Sequence, residues 1–215
     1  MRSRWLGPAV VAAMWVFVAT VYTRLPQRIP SHWNLHGEVD GWMDKPWGAL
    51  MQPFIATVLL AGLWVLPRID PRRANVAAFA DTRRLLLNLI ICFFAIVQVV
   101  TLGQALGWPL EVDRAIPAAV GLLFIGLGNY LPRVRSNWFI GIRTPWTMDN
   151  DRVWRDTHRV GGRAFVVAGV LMLVSAPLSA MARVWALCAA IAIAVVVPLV
   201  YSYVAYRRDL AGRSR

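Results

Sequence analysis

Six long apolar runs, separated by polar stretches, divide this chain. They span residues 5–22, 47–66, 85–106, 115–131, 164–181 and 184–204. Each run has about 17 to 22 residues, which is enough for a helix to cross a hydrocarbon core of roughly 30 Å. The pattern predicts an all-α polytopic membrane protein with six transmembrane helices.

The runs contain no Asp, Glu, Lys, Arg or His. Transporters that couple to ions or protons usually carry such residues at depth, because a moving charge needs a partner there. The sequence therefore disfavours a transporter, and we expect recognition or chemistry to lie in the polar stretches between the runs.

The first run follows Arg2 and Arg4, a pattern that also fits a secretory signal peptide. The run is longer than the apolar core of a typical signal peptide, and no Ala-x-Ala cleavage site follows it. We therefore expect an uncleaved first helix, and its orientation is the same in either case.

Charge sets the predicted orientation. The net charge is +12 and 58% of the residues are hydrophobic. Of the 23 Lys and Arg residues, 18 lie in the N-terminus, the second and fourth connections and the C-terminus, against 5 in the other connections. The positive-inside rule places both termini in the cytoplasm. Insertion accounts for the basic charge, so the sequence predicts no direct nucleic-acid binding.

The two cysteines lie at different predicted depths. Cys92 falls near the cytoplasmic end of its run and Cys188 near the outer end of its own. At 1.5 Å of rise per residue they are roughly 15 Å apart in depth, too far for a disulfide. We expect two free thiols.

The chain divides into two predicted units. Residues 1–70 form a two-span unit with an extracytoplasmic loop at 23–46, and residues 71–215 form a four-span unit with a cytoplasmic loop at 132–163. Proline and glycine break the outer loop into turns, so it is expected to form an ordered cap or a short re-entrant connection, not a long helix.

The outer loop contains the candidate ligand-facing residues His32, Asn34, His36, Gly37 and Asp40. Two histidines four residues apart can share a metal on a helix, but the Glu of an H-E-x-x-H motif is missing here. We therefore predict no metal site and no cofactor, with His32 and His36 as the only candidates for a metal.

The cytoplasmic loop has the most informative composition. An aromatic stretch at 137–146 is broken by Gly141 and Pro145, and Thr147 is a suitable N-cap for a helix after it. On that helix an apolar stripe comprises Val153, Trp154, Thr157 and Val160, and Gly161 and Gly162 would end it. The sequence thus predicts an amphipathic cytoplasmic helix between spans four and five.

Two segments carry a resemblance to a known family. The stretches NWFIGIRTPWT (137–147) and VWRDTHRVGGR (153–163) resemble the signature of the SdpI family of bacterial immunity proteins. The outer stretch LPQRIPSHWNLHGEVDGW (25–42) is similar to the domain of unknown function that often precedes it. The residues that match the signature are Asn137, Gly141, Arg143, Thr144, Pro145, Trp146, Trp154, Thr157, His158 and Arg159.

The resemblance implies a six-span protein of the bacterial inner membrane. The studied type of this family protects a cell from a secreted peptide toxin and, as a receptor, holds a transcriptional repressor at the membrane. By position we assign partner binding to the signature residues other than Thr157. Arg143 and Arg159 would contact an acidic surface, and Trp146 and Trp154 would serve as apolar anchors.

Two other functions stay open at this point. A membrane enzyme acting on a lipid or peptide would use the cluster of Asp156, His158 and Arg159, but neighbours at these spacings point to different faces of a helix. A structural protein whose loops bind only anionic lipid would explain the arginines, but not Asn137, Gly141 or Thr144. The leading hypothesis is a non-enzymatic immunity and receptor protein, with a peptide toxin outside and a soluble regulator in the cytoplasm as its partners.

Overall fold

Six long helices dominate the structure, as the hydropathy pattern predicts. The computed structural model describes residues 4–34 and 37–213. Within those ranges six helices are long and apolar enough to cross a membrane. They are α1 (Leu6–Val21), α2 (Lys45–Ile69), α4 (Ala80–Ala105), α5 (Val112–Tyr130), α7 (Asp151–Ser175) and α8 (Ala180–Arg213). The predicted helical fold with six candidate spans is confirmed, and the cytoplasmic location of both termini stays a prediction.

Two short helices lie in the connections. Helix α3 (Arg73–Ala78) joins α2 to α4, and α6 (Pro145–Asp149) precedes α7. We call residues 131–150, which connect α5 to α7, the polar segment. A turn at 176–179 joins α7 to α8. The apolar runs 164–181 and 184–204 predict this turn around Ala182 and Arg183, and that prediction is wrong because both residues already lie in α8.

Prolines do not end the helices where the sequence suggests. The second apolar run ends just before Pro67, which predicts a helix end there, yet α2 continues through Pro67 to Ile69. Pro117 likewise lies inside α5. A proline costs a helix one hydrogen bond. Ending a helix among lipid chains exposes more backbone groups than that, so continuing through the proline is favoured.

The expected amphipathic helix is continuous with the fifth span and not separate from it. Helix α7 runs without a break from Asp151 to Ser175, so Gly161 and Gly162 do not end it. Its N-cap is Asn150 and not Thr147, whose side chain instead belongs to the cap of α6. The predicted stripe is nevertheless real, because Val153, Trp154 and Thr157 are buried. A cytoplasmic location for this part stays a prediction.

The connection between α1 and α2 contains a β-hairpin that the sequence did not predict. Strands β1 (Arg28–Trp33) and β2 (Val39–Asp44) pair antiparallel, with Ile29 opposite Met43. The register shifts beside Pro30 and His32. Irregularity of this kind removes the regular alternation that identifies a strand in a sequence.

The helices pack in two groups. In the first, α1, α2 and α4 surround a core of Val11, Met14, Ala56 and Ile91. Closer to the hairpin, Ile29 of β1 is fully buried with Val18, Ala49 and Leu102. This contact seats the hairpin on the end of the first group, which supports the expectation of an ordered cap.

In the second group α5, α7 and α8 pack through small residues. Ala168 and Met172 of α7 meet Ala190 and Ala194 of α8. Between α5 and α7 the backbones touch at glycine pairs: a Cβ on Gly162 would lie 2.7 Å from the carbonyl oxygen of Gly128, and one on Gly169 2.5 Å from that of Gly121. Small residues permit such close approach in membrane bundles.

Helix α4 links the groups, since it also packs against α5. The predicted division after residue 70 stays a prediction. Cys92 and Cys188 are both free thiols, as expected.

Candidate functional site

The polar segment is held in shape by its own side chains, beginning with Asn137. Its Nδ2 donates to the carbonyl oxygens of Arg135 and Ile140, each at 2.8 Å. Its Oδ1 accepts from the backbone N–H groups of Phe139 at 2.9 Å and Ile140 at 2.7 Å. Asn137 is 1% exposed, so it acts as the internal brace of the turn at 135–140.

Gly141 carries the chain over a stacked pair of rings. Its φ is +122°, and a Cβ there would lie 2.3 Å from Nε2 of His158. The rings of Trp154 and His158 stack with centroids 4.1 Å apart. Only glycine suits this position, because a Cβ would collide with the ring pair and because the positive φ disfavours residues with a side chain.

His158 is neutral in this arrangement. Its Nε2 accepts from the backbone N–H of Ile142 at 3.0 Å, and its Nδ1 lies 2.8 Å from the carbonyl oxygen of Trp154. A backbone N–H can only donate and a carbonyl can only accept, so the proton sits on Nδ1. His158 is fully buried and fastens the polar segment to α7.

The two threonines of the segment form a reciprocal cap. The side chain of Thr144 accepts from the N–H of Thr147 at 3.2 Å, and the hydroxyl of Thr147 accepts from the N–H of Thr144 at 2.8 Å. This capping box starts α6 at Pro145. On α6, Trp146 donates to Ser202 of α8 at 2.5 Å and meets the ring of Tyr203 edge-on.

Asn150 joins α7 to the end of α8. Its Oδ1 accepts from the N–H of Arg152 at 2.8 Å, and its Nδ2 donates to the carboxylate of Asp209 at 2.7 Å. Neither Asn150 nor Asp209 was singled out from the sequence. An Asn before an acidic first turn is, however, a recognisable N-cap signal.

The connection between α2 and α4 is a second part of the site that sequence reasoning missed. Asp70 is buried, and its carboxylate accepts from the N–H groups of Trp138 at 2.9 Å and Arg72 at 2.7 Å. Arg72 in turn donates to the hydroxyl of Ser136 and, at 2.7 Å, to the carbonyl of Met148. Apart from the local bond between Arg72 and Asp70, these bonds join residues more than 60 positions apart, and no local pattern indicates them.

An apolar core lies beneath these bonds. Val76 and Phe79 from the α2–α4 connection pack with Val134 and Trp154. The indole N–H of Trp154 donates to the carbonyl of Val134 at 2.8 Å. The polar segment and the α2–α4 connection therefore form one packed unit on one side of the bundle.

The structure separates the nine predicted partner-binding residues by exposure. Asn137, Thr144, Trp154 and His158 are buried, Gly141 and Trp146 are half-buried, and Arg143, Pro145 and Arg159 are exposed. Arg143 donates to the carbonyl of Trp138, and Arg159 lies 3.9 Å from Asp156. Only Arg143, Pro145 and Arg159 therefore present exposed side chains for direct contact with a partner.

The arrangement offers no general acid or base at His158. Both of its ring nitrogens are engaged by backbone groups, while Asp156 faces Arg159. A proton shuttle needs a free lone pair within reach of substrate.

On the opposite side, the hairpin carries the other predicted site. His32 and Asp40 are exposed and joined by a 2.5 Å hydrogen bond, and Asn34 donates to Glu38 at 2.9 Å. Gly37 has a φ of +81° and packs against Asp113 of α5. The predicted residue His36 lies outside the described residues.

A groove of about 260 Å³ separates the hairpin from α5 and α8. Trp33 and Asn34 line one wall, and Ile116 and Leu187 line the other. An ion pair between Asp113 and Arg183 lies in it. Among residues 4–34 and 37–213, no group of three or more His, Cys, Asp or Glu side chains is placed to hold a metal ion.

Comparison with known proteins bears on this geometry. The profile of the SdpI/YfhL protein family matches residues 133–202, and that of a domain of unknown function, DUF1648, matches residues 9–57. The immunity protein SdpI of Bacillus subtilis (strain 168) is 25% identical over 174 residues, which cover 81% of each chain. The resemblance to the SdpI family is confirmed. No solved structure matches the chain.

The SdpI match begins in the polar segment and extends through α7 into α8, and the DUF1648 match covers most of α1, the hairpin and half of α2. The similarity thus includes both candidate sites. Six spans and an SdpI relative make this a multi-pass protein of the bacterial inner membrane.

Proposed function

We propose that this protein is a membrane immunity and receptor protein that makes its cell resistant to a secreted peptide toxin. The observation that supports it most is the similarity to an immunity protein over 81% of both chains. The two matching family profiles, over residues 9–57 and 133–202, include the hairpin and most of the polar segment. An unrelated membrane anchor would share only the apolar runs.

The outer site meets the toxin. The groove between the hairpin and α5 and α8 combines apolar walls with the Asp113–Arg183 pair, which suits an amphipathic peptide. His32, Asn34 and Gly37 line this groove, and Asp40 is bonded to His32. His36 belongs to the same predicted ligand-facing set. In the predicted orientation this rim lies on the outer side of the membrane. A secreted peptide arrives on that side.

The polar segment and the adjoining first turns of α7 form the docking face for a soluble regulator. Arg143, Pro145 and Arg159 make the direct contacts, because their side chains are exposed. Asn137, Gly141, Thr144, Trp154 and His158 set the shape of this face through the bonds described above, and Trp146 fixes it to α8. Arginine clusters of this kind recognise carboxylates or phosphates on a partner.

Loss of the gene tests the immunity function. A deletion strain should become sensitive to a peptide secreted by its own population, and the wild-type gene should restore growth. Arg143→Ala should fail to restore it at equal membrane expression, whereas Arg155→Ala, an exposed arginine on α7, should succeed. A deletion strain that resists every peptide tolerated by the wild type would contradict the proposal.

Capture from mild detergent tests the receptor function separately. After exposure of cells to toxin, the tagged wild-type protein should retain a soluble DNA-binding regulator in stoichiometric amount, and Arg143→Ala with Arg159→Ala should not. Retention by the double variant equal to that of the wild type would refute docking at this face and leave the immunity function unaffected.

A further inference from the structure

A basic groove, distinct from the two sites described above, lies at the ends of α1, α2 and α4. Its volume is about 710 Å³. Four arginines line it: Arg4, Arg68, Arg83 and Arg84. Among the described residues, no Asp or Glu side chain belongs to its lining, so the groove concentrates positive charge without an internal counter-ion there.

Arg83 shows that this charge lacks compensation. The residue is only 9% exposed. Its Nη1 donates to the carbonyl of Val76 at 3.1 Å, but its buried Nε has no hydrogen-bond partner among the described residues. A buried guanidinium with an unused donor is unfavourable unless an anion approaches it.

The neighbouring arginines do not supply that anion. Arg68 donates to the carbonyl of Trp64 at 2.6 Å, which neutralises no charge. Arg84 lies 3.2 Å from Asp81, but the Asp81 side chain is 98% exposed, where an ion pair contributes little. The guanidinium groups remain available to an oxyanion.

The walls below the arginines are apolar and open to the lipid. Leu60 and Leu63 of α2 line the groove, and Trp5 and Trp64 flank it with about two-thirds of their surfaces exposed. Tryptophans at helix ends mark the headgroup level of a bilayer. The groove therefore joins a cationic mouth at headgroup depth to an apolar channel at acyl-chain depth.

We propose that this groove binds an anionic glycerophospholipid, with its phosphate on the arginines and an acyl chain along the apolar wall. Basic pockets between membrane helices on the cytoplasmic side bind such lipids. A zwitterionic lipid carries an ammonium group into the same cationic mouth, and a free phosphate lacks the chain. The groove therefore distinguishes an anionic lipid from both.

The site also touches the polar-segment unit. Arg83 is bonded to Val76, and Val76 packs in the same core as Trp154. Bound lipid thus holds the α2–α4 connection, which in turn holds the polar segment.

Native mass spectrometry of the full-length protein in non-ionic detergent tests this inference. Titration with phosphatidylglycerol should give one tightly retained lipid, bound at least tenfold more tightly than phosphatidylcholine. The double variant Arg68→Gln/Arg83→Gln should lose about thirtyfold in affinity, since each basic residue near a membrane surface contributes roughly a fivefold factor. The control Arg155→Gln/Arg163→Gln has the same charge change on exposed positions of α7 and should bind as the wild type does.

Two further measurements test lipid binding at this groove. Arg68→Gln/Arg84→Gln alters only side chains near the surface, and it should reduce affinity even where Arg83→Gln impairs folding. Inorganic phosphate at millimolar concentration should leave lipid retention unchanged. Equal retention of the two lipids, unchanged binding by the variants, or full displacement by phosphate would each overturn the proposal.

Discussion

At Gly141 one backbone conformation and one contact decide the shape of the polar segment. The φ of +122° is accessible to few side-chain-bearing residues, and His158 occupies the space that a Cβ would need. The neutral ring of His158 then receives the N–H of Ile142. A single glycine thus permits the bond that attaches the segment to α7.

Gly141→Ala should therefore destabilise the protein by about 2 kcal/mol or more, from the strained φ and the clash together. Thermal unfolding in detergent measures it. Gly107→Ala is the matched control, because Gly107 has a φ of +81° with no atom within 4 Å of a built Cβ. Its loss should be smaller, about 1 kcal/mol from backbone strain alone. Equal losses would show that the His158 contact is unimportant.

The residues of the family signature could be found from the sequence, but their individual roles could not. Asn137, Thr144 and His158 stand out as polar residues that an anchoring segment does not need. In the structure these three side chains are buried and hold the polar segment in shape. Their burial depends on residues that are distant in the chain. Arg143 and Arg159 keep the exposed position that partner contact requires, and that contact stays a prediction.

At the scale of elements, hydropathy identified all six spans because bilayer thickness fixes the length of an apolar helix. The boundaries were less predictable. Gly161 and Gly162 suggest a helix end in water, but they lie inside a continuous helix. There Gly162 packs against Gly128 of α5, and Gly161 packs against Ile142 and Pro198. The hairpin escaped prediction because Pro30 and Gly41 break the strand pattern. Its role as a cap depends on the burial of Ile29.

The glycine contacts between α5 and α7 lead to a prediction for this pair of elements. Gly162→Ala should separate the helices and destabilise the protein by about 1 to 3 kcal/mol, since the new methyl group meets the backbone of Gly128. Gly62→Ala in α2 is the control, because its Cβ meets only ordinary contacts at 3.8 Å and beyond. That change should be neutral or slightly stabilising. An unchanged melting temperature for Gly162→Ala would contradict the close packing.

At the scale of the whole molecule, the polar segment depends on a connection that precedes it by more than 60 residues. Asp70 and Arg72 hold Trp138, Ser136 and Met148 across that distance. No periodicity or motif in the sequence encodes such a pairing. It appears only once α4 and α5 have brought the two connections to the same side of the bundle.

Arg72→Ala should loosen the polar segment without unfolding the bundle. Amide hydrogen exchange should speed up at residues 134–150 by roughly tenfold, a local loss of about 1.4 kcal/mol from two hydrogen bonds. Arg73→Ala is the control, since Arg73 is exposed on α3, and exchange should stay at the wild-type rate. Unchanged protection in Arg72→Ala would show that the segment holds its shape alone.

Transfer of resistance tests the central claim most directly. A bacterium that lacks this gene and is sensitive to culture supernatant from the producing strain is given the wild-type gene, Arg143→Ala or the control Arg155→Ala. The measured quantity is survival against supernatant dilution, at equal amounts of protein in the inner membrane. We predict protection by the wild type and by Arg155→Ala, and at least a tenfold loss of protection for Arg143→Ala. Equal killing of cells with and without the wild-type protein would contradict an immunity function.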